Sequence, residues 1–282
     1  MHITSRFIEV DGLKLHIQEG GSGDAVLFLH GWPTSSYLWR NILPEVARRN
    51  RVIALDMPGF GRSDKPPEAS YSFRFHARAI EGVLDALNVE QVGLAVHDLG
   101  GPVGLHWAVH NMTRVSRLAL LNTIIYPEMS WAVILFVVSC RTPGMRDLMT
   151  SPLGLKWAMQ LGIHNPERVT ETMVRAVQEP FQTSGARKAL YRSAYGLHPA
   201  GFQDIKNRLS DFKGPVCVVY GERDWILPNV ATTMARVAQD LPQAHVTALS
   251  DCGHFLQEDR PEVIAPILAD FFGQPSPSNP DA

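Results

Sequence analysis

Residues 92–107 read VGLAVHDLGGPVGLHW. The opening VGLAV is a short apolar run, the mark of a strand buried on both faces in a parallel sheet. Leu99, Gly100 and Gly101 follow the polar pair His97-Asp98, and a helical pattern then runs from Gly100 to about Asn111. A strand that passes into a helix through such small residues has to fold back sharply. The side chain at that corner is lifted clear of the sheet's carboxyl edge, where open α/β sheets bind ligands. Here it belongs to Asp98, in the place where this turn usually carries a serine nucleophile. Aspartate at a helix start is also an ordinary N-cap, so the segment alone leaves both roles open.

Two later segments bear on that choice. Asp224 ends the strand VCVVY in the turn GERD (221–224), and His254 lies in SDCGHFLQEDRPE (250–262), between the last strand and the last helix. Singly, the first is a turn aspartate and the second a helix-start polar residue. Together with Asp98 they stand at successive strand ends in the order nucleophile, acid, histidine. A fourth segment, His30-Gly31-Trp32-Pro33, follows the strand AVLFLH (25–30). It reads either as a Gly-Pro turn or as an anion site, in which the backbone N–H of Trp32 and that of Leu99 form an oxyanion hole. A carboxylate nucleophile suits attack on an electrophilic sp3 carbon, since it needs no base to ionise it. The resulting ester then requires His254 as general base for water, with Asp224 holding the imidazole. No metal or organic cofactor is required.

Working outward, the first thirty residues alternate as strands do, with Asp11-Gly12 as a hairpin turn and GGSGD (20–24) as a break. VIALD (52–56), RLALLN (117–122) and HVTALS (245–250) are further strands, and helical patterns cover about 73–87 and 261–272. Strands alternating with helices predict an α/β fold with a mostly parallel sheet covered on both faces. The alternation stops near Tyr126 and resumes at PVCVVYGERD (215–224). The expected organisation is therefore a core of 1–125 and 210–273, an inserted helical cap of 126–209, and a disordered Pro- and Ser-rich tail of 274–282.

Composition narrows the partners. Twenty-six Lys and Arg against 28 Asp and Glu give a net charge of -2, which offers no footprint for nucleic acid or an anionic membrane. A small apolar substrate and water are the expected partners, with the chain a monomer or homodimer. Cys140, Cys217 and Cys252 are too few and scattered for a disulfide framework, and the start MHITSRFIEV lacks a secretory pattern, so a cytoplasmic place is expected. The most apolar run, WAVILFVVSC (131–140), spans ten residues, half the roughly 20 a bilayer crossing needs. It is expected to be buried or to line a pocket, as are Met145, Met149 and Met159. His97 and His106 have no carboxylate or cysteine at ligand spacing and read as structural histidines rather than metal ligands.

HGWPTSSYLWRNILP (30–44), LDMPGFGRSDKP (55–66), VHDLGG (96–101), GERD and CGHFLQEDRPE (252–262) stand in an order and spacing that resembles the haloalkane dehalogenase and epoxide hydrolase branch of the α/β-hydrolase superfamily. The resemblance covers almost the whole chain, and CRTPGMRDLM (140–149) and QEPF (178–181) look more like dehalogenase caps. It implies the α/β-hydrolase fold, an Asp nucleophile and a covalent alkyl-enzyme ester, with carbon–halogen cleavage first and epoxide opening to a diol as the alternative. A non-catalytic small-molecule receptor on the same fold is a third, weaker reading, which the complete triad opposes. Asn122 stands where another dehalogenase subgroup carries its acid as Glu.

The chain departs from that pattern at the leaving group. Dehalogenases usually follow the nucleophile with a Trp whose indole holds the halide, and here the residue is Leu99. Trp32, and Trp157 in LGLKWAMQLG (153–162), are the replacement candidates. Tyr191 in KALYRSAY (188–195) resembles the second of the two cap tyrosines that protonate an epoxide, and Phe136 occupies the place of the first. LGGPVGLHW (99–107) lacks the arginines with which fluoroacetate dehalogenases clasp a carboxylate.

Overall fold

A computed structural model describes residues 2–274. All of the expected tail except Gln274 lies outside the described residues. The sheet has eight strands in the order β1-β2-β4-β3-β5-β6-β7-β8. They are β1 (Thr4–Val10), β2 (Leu13–Gly20), β3 (Ala25–Leu29), β4 (Arg51–Leu55), β5 (Val92–Asp98), β6 (Val115–Thr123), β7 (Val216–Gly221) and β8 (Ala244–Leu249). The β1–β2 hairpin turns at Asp11 and Gly12, both with positive φ, as a two-residue hairpin loop of matching twist requires. β2 meets β4 antiparallel, and from β4 to β8 every pairing is parallel.

Helices cover both faces. Beside the sheet lie α1 (Leu43–Val46), α2 (Phe73–Ala86), α3 (Gly100–His110) and, further along the chain, α10 (Val230–Asp240), α11 (Leu256–Asp259) and α12 (Pro261–Phe272). Central strand β5 shows the consequence, with all seven of its residues buried. Gly93 lies under Phe272 of α12, while Leu94 and Val96 meet Gly104 of α3 on the other face, as the period of two along a strand dictates.

Between β6 and β7 the described chain is helical: α4 (Trp131–Arg141), α5 (Met145–Met149), α6 (Pro152–Gly162), α7 (Glu171–Gln178), α8 (Ser184–Ser193) and α9 (Pro199–Arg208). Side-chain oxygens of Ser130, Ser151, Thr170 and Thr183 cap four of these at their N-termini, each satisfying an N–H the first turn leaves unpaired. The expectation for 131–140 needs correction. α4 buries only Val133, Ser139 and Cys140, and Trp131 is 70% exposed, with Ile134, Leu135 and Val138 also facing out. A helix apolar all round has more apolar surface than one contact face can cover. Of the three cap methionines singled out above, Met159 is buried, Met149 half-buried and Met145 exposed. No helix among the described residues is long and apolar enough to cross a membrane.

Candidate active site

Asp98 ends β5 with φ 49°, a left-handed conformation that costs an ordinary residue energy and persists only where its surroundings impose it. They do so here. The Thr123 hydroxyl donates to the Asp98 carbonyl at 2.7 Å. A β-carbon on Gly101 would overlap the Thr123 side chain, and one on Gly100 would meet the Leu29 and His30 backbone. The small residues read from the sequence are thus those the sharp turn needs.

The turn aims the Asp98 carboxylate at the loop after β3. The Trp32 N–H donates to its Oδ1 at 2.7 Å, and the Leu99 N–H also bonds the carboxylate. Gly31 lies so close beneath that any β-carbon there would overlap Asp98. His30 braces this loop: its Nδ1–H donates to the Gly31 carbonyl and its Nε2 accepts from the Met57 N–H. Burial lowers its pKa, which keeps the ring neutral.

His254 stands between two carboxylates. Its Nδ1 is 2.8 Å from Asp224 Oδ2, and its Nε2 lies 3.3 Å from Asp98 Oδ2 without the alignment of a hydrogen bond. Burial opposes charge on the ring, yet Asp224 and then Asp98 outweigh it and push the pKa up to about 10. For Asp98, burial alone would raise the pKa, but His254 and the Leu99 N–H hold it below the ordinary carboxylate range. Asp224 is held low likewise, burial being overcome by His254, the Leu227 N–H and Asn122. The resting arrangement is an imidazolium flanked by two buried carboxylates.

Sequence reasoning did not assign several supporting groups. Asn122, fully buried at φ 29°, donates to Asp224 Oδ2 at 2.7 Å and accepts the Gly221 N–H at 2.9 Å. It orients the acid from the position where a subgroup of the resembled family carries one. His97, pushed down to about 3 by burial and by the charge on His254, is neutral and donates from Nε2 to the His254 carbonyl at 2.9 Å. Asp259 gathers the N–H groups of Gly253, His164 and Asn165 at 2.8–3.0 Å, which ties the His254 loop to the end of α6. Their chain separations, from six to over a hundred residues, follow no short motif.

The leaving-group candidates fare differently. The Trp32 indole N–H is given to the Leu190 carbonyl at 3.2 Å, so its side chain joins the loop to α8 and is not a free donor. Phe136 packs edge-on against Trp32 at 4.7 Å. Trp157 is 51% exposed on α6, whereas a donor to a departing halide works best in a water-poor site. Tyr191, next to Leu190, lies under the Arg146 guanidinium at 4.8 Å. Cavities of about 130 Å³ beside Thr123–Val133 and about 530 Å³ between α6 and α7 include neither Asp98 nor His254. The triad is roofed by side chains, with Asp98 only 7% exposed.

Known proteins carry the same frame. The family described as alpha/beta hydrolase fold matches residues 24–261. A haloalkane dehalogenase of Sphingobium indicum is 31% identical over 289 residues, covering 94% of this chain and 94% of that protein. The crystal structure of the haloalkane dehalogenase DatA from Agrobacterium tumefaciens C58 matches with a TM-score of 0.83 at 26% identity, over 95% of this chain and 96% of that one. The epoxide hydrolase CorEH matches with a TM-score of 0.81 at 24% identity, over 96% and 99%, a likeness of fold. The chain is therefore a hydrolase that belongs to the α/β-hydrolase fold family, in the branch of the haloalkane dehalogenases.

Proposed function

We propose that the protein hydrolyses a small apolar substrate through a covalent ester on Asp98, with carbon–halogen cleavage as its reaction. The observation that carries this reading is the division of labour within one carboxylate. Oδ1 is already held by the Trp32 N–H, while Oδ2 faces His254 Nε2 at 3.3 Å. Oδ2 attacks the carbon from behind, the carbon–halogen bond breaks, and halide leaves with the electron pair. The ester carbonyl, Oδ1, then stays among N–H donors suited to an oxyanion.

Alkylation also changes His254. With Asp98 neutral, one of the two carboxylates that hold the imidazolium proton is lost. The ring then releases that proton to solvent and takes one from water as the water attacks Cγ of Asp98. Collapse of the tetrahedral intermediate breaks the bond from Cγ to the alkyl oxygen, the His254 imidazolium gives its proton to that oxygen so that it leaves as the alcohol, and the carboxylate is restored. In this reading the helices of 126–209 act as the cap, and Phe136 and Trp32 form an apolar wall above the carboxylate.

Epoxide opening is the second reading, favoured by Tyr191. Its phenol has no hydrogen-bond partner among the described residues, and it adjoins Leu190, whose carbonyl holds Trp32. In this reading the phenol would protonate the opening ring oxygen.

Replacing His254 with Gln tests both. Loading needs only Asp98, whereas release needs the base, so intact-protein mass spectrometry of His254→Gln should show an adduct mapping to Asp98. A gain equal to the alkyl group marks a bromoalkane, and a gain equal to the whole molecule marks an epoxide. Asp98→Asn should show none and turn nothing over. Normal turnover by His254→Gln, or an adduct confined to another residue, rules the mechanism out.

A further inference from the structure

Outside the triad, the end of α3 and the face of α9 bring together His106, His110 and Asp204. We propose that these three residues form a binding site for a divalent transition-metal ion of the Zn2+, Ni2+ or Cu2+ class. One ligand atom from each lies within 4.8 Å of the others. The two histidines are four apart on one helix, so their side chains rise from the same face. Their rings lie 4.6 Å apart between centroids.

Local contacts prepare both rings. The His110 Nδ1 lies 2.8 Å from the His106 carbonyl oxygen. A carbonyl only accepts, so Nδ1 carries the proton and Nε2 keeps its lone pair. This is the arrangement by which an outer hydrogen bond readies a histidine as a ligand. The His106 ring is stacked on Phe73 at 4.5 Å and 26°, which fixes its plane. Its Nε2 is 3.7 Å from Asp204 Oδ2, too long for a hydrogen bond and suited to two ligands sharing one ion. Two imidazoles and one carboxylate favour borderline transition metals over Mg2+ or Ca2+. The exposed side of His110 and Asp204 leaves the remaining coordination positions to water.

His106 and His110 stand at the end of the helix that starts behind Asp98, whereas Asp204 is supplied by α9, the last long helix before β7. The carboxylate missing at ligand spacing in the sequence thus comes from almost a hundred residues downstream. A bound ion would tie α9 to α3.

Titration calorimetry of the full, untagged chain with Zn2+ tests this without reference to activity. The expected result is one saturable equivalent, weakened at least tenfold in both His110→Ala and Asp204→Asn, together with a Zn2+-dependent rise in Tm that both variants lose. Both substitutions are at exposed positions, and an unchanged Tm without metal checks that they fold. Absence of a saturable site in the wild type, or equal binding by wild type and both variants, overturns the assignment.

Discussion

Asn122→Ala probes the second step of the proposed reaction from outside the triad. The amide donates to Asp224 Oδ2 at 2.7 Å and accepts the Gly221 N–H at 2.9 Å, both in a fully buried setting. Removing a donor to an ionised carboxylate costs about 1.5–3 kcal/mol, and the orphaned Gly221 N–H costs about 1–3 kcal/mol more. The expected loss of stability is about 2.5–6 kcal/mol, a fall in Tm on the order of 10 °C. If the charge-assisted bond is expressed in the rate of ester hydrolysis, that step slows about tenfold to a hundredfold. Ester formation should keep its rate, because Trp32 and Leu99, the donors on Asp98, do not touch Asn122. Rapid-quench mass spectrometry would then show a burst of ester on Asp98 where the wild type shows little. A lower Tm with an unchanged rate of ester breakdown would refute the positioning role and leave Asn122 as packing alone.

Three further outcomes are expected. His254 titrates near 10 in the fold against about 6.5 in an unfolded chain, so its contribution to stability is fully present below pH about 6.5 and is lost as pH rises through about 10. Urea midpoints of the wild type should fall across that window, and those of Asp224→Asn should fall less. Asp224→Asn should also cut turnover by up to about 10⁴-fold with the fold intact, and steady-state kinetics with wild-type-like circular dichroism would check this. Leu99→Trp should raise bromide release from bromoalkanes by supplying an indole donor, and Tyr191→Phe should leave that rate alone while sharply reducing diol formation from styrene-type epoxides; insensitivity of both activities to both changes contradicts the leaving-group assignments.

What could be read from the chain was what is local. β5 and the turn at Asp98 are a contiguous pattern of strand, corner and small residues, and the structure places the strand at Val92–Asp98. The same holds for the hairpin at Asp11-Gly12, which depends only on two residues tolerant of positive φ. Asn122 stands out in sequence only as a missing acid, because its role is to bond Asp224, more than a hundred residues away. Trp32 looks like a free indole until the fold brings Leu190 to it. α4 was misread for a different reason: apolar content shows that a segment can be buried, but only packing decides which side is.

The Asp259 carboxylate has a bearing on how substrate reaches so enclosed a site. It collects N–H groups from Gly253 beside His254 and from His164 and Asn165 at the end of α6, while the Phe255 N–H donates to the Gly162 carbonyl. Hydrogen bonds to a charge are each worth about 1.5–3 kcal/mol, so swinging this end of the roof outward would be costly and would drag His254 with it. Any opening of the helical segment that admits small molecules would therefore have to spare the His164 corner to leave the geometry of His254 undisturbed.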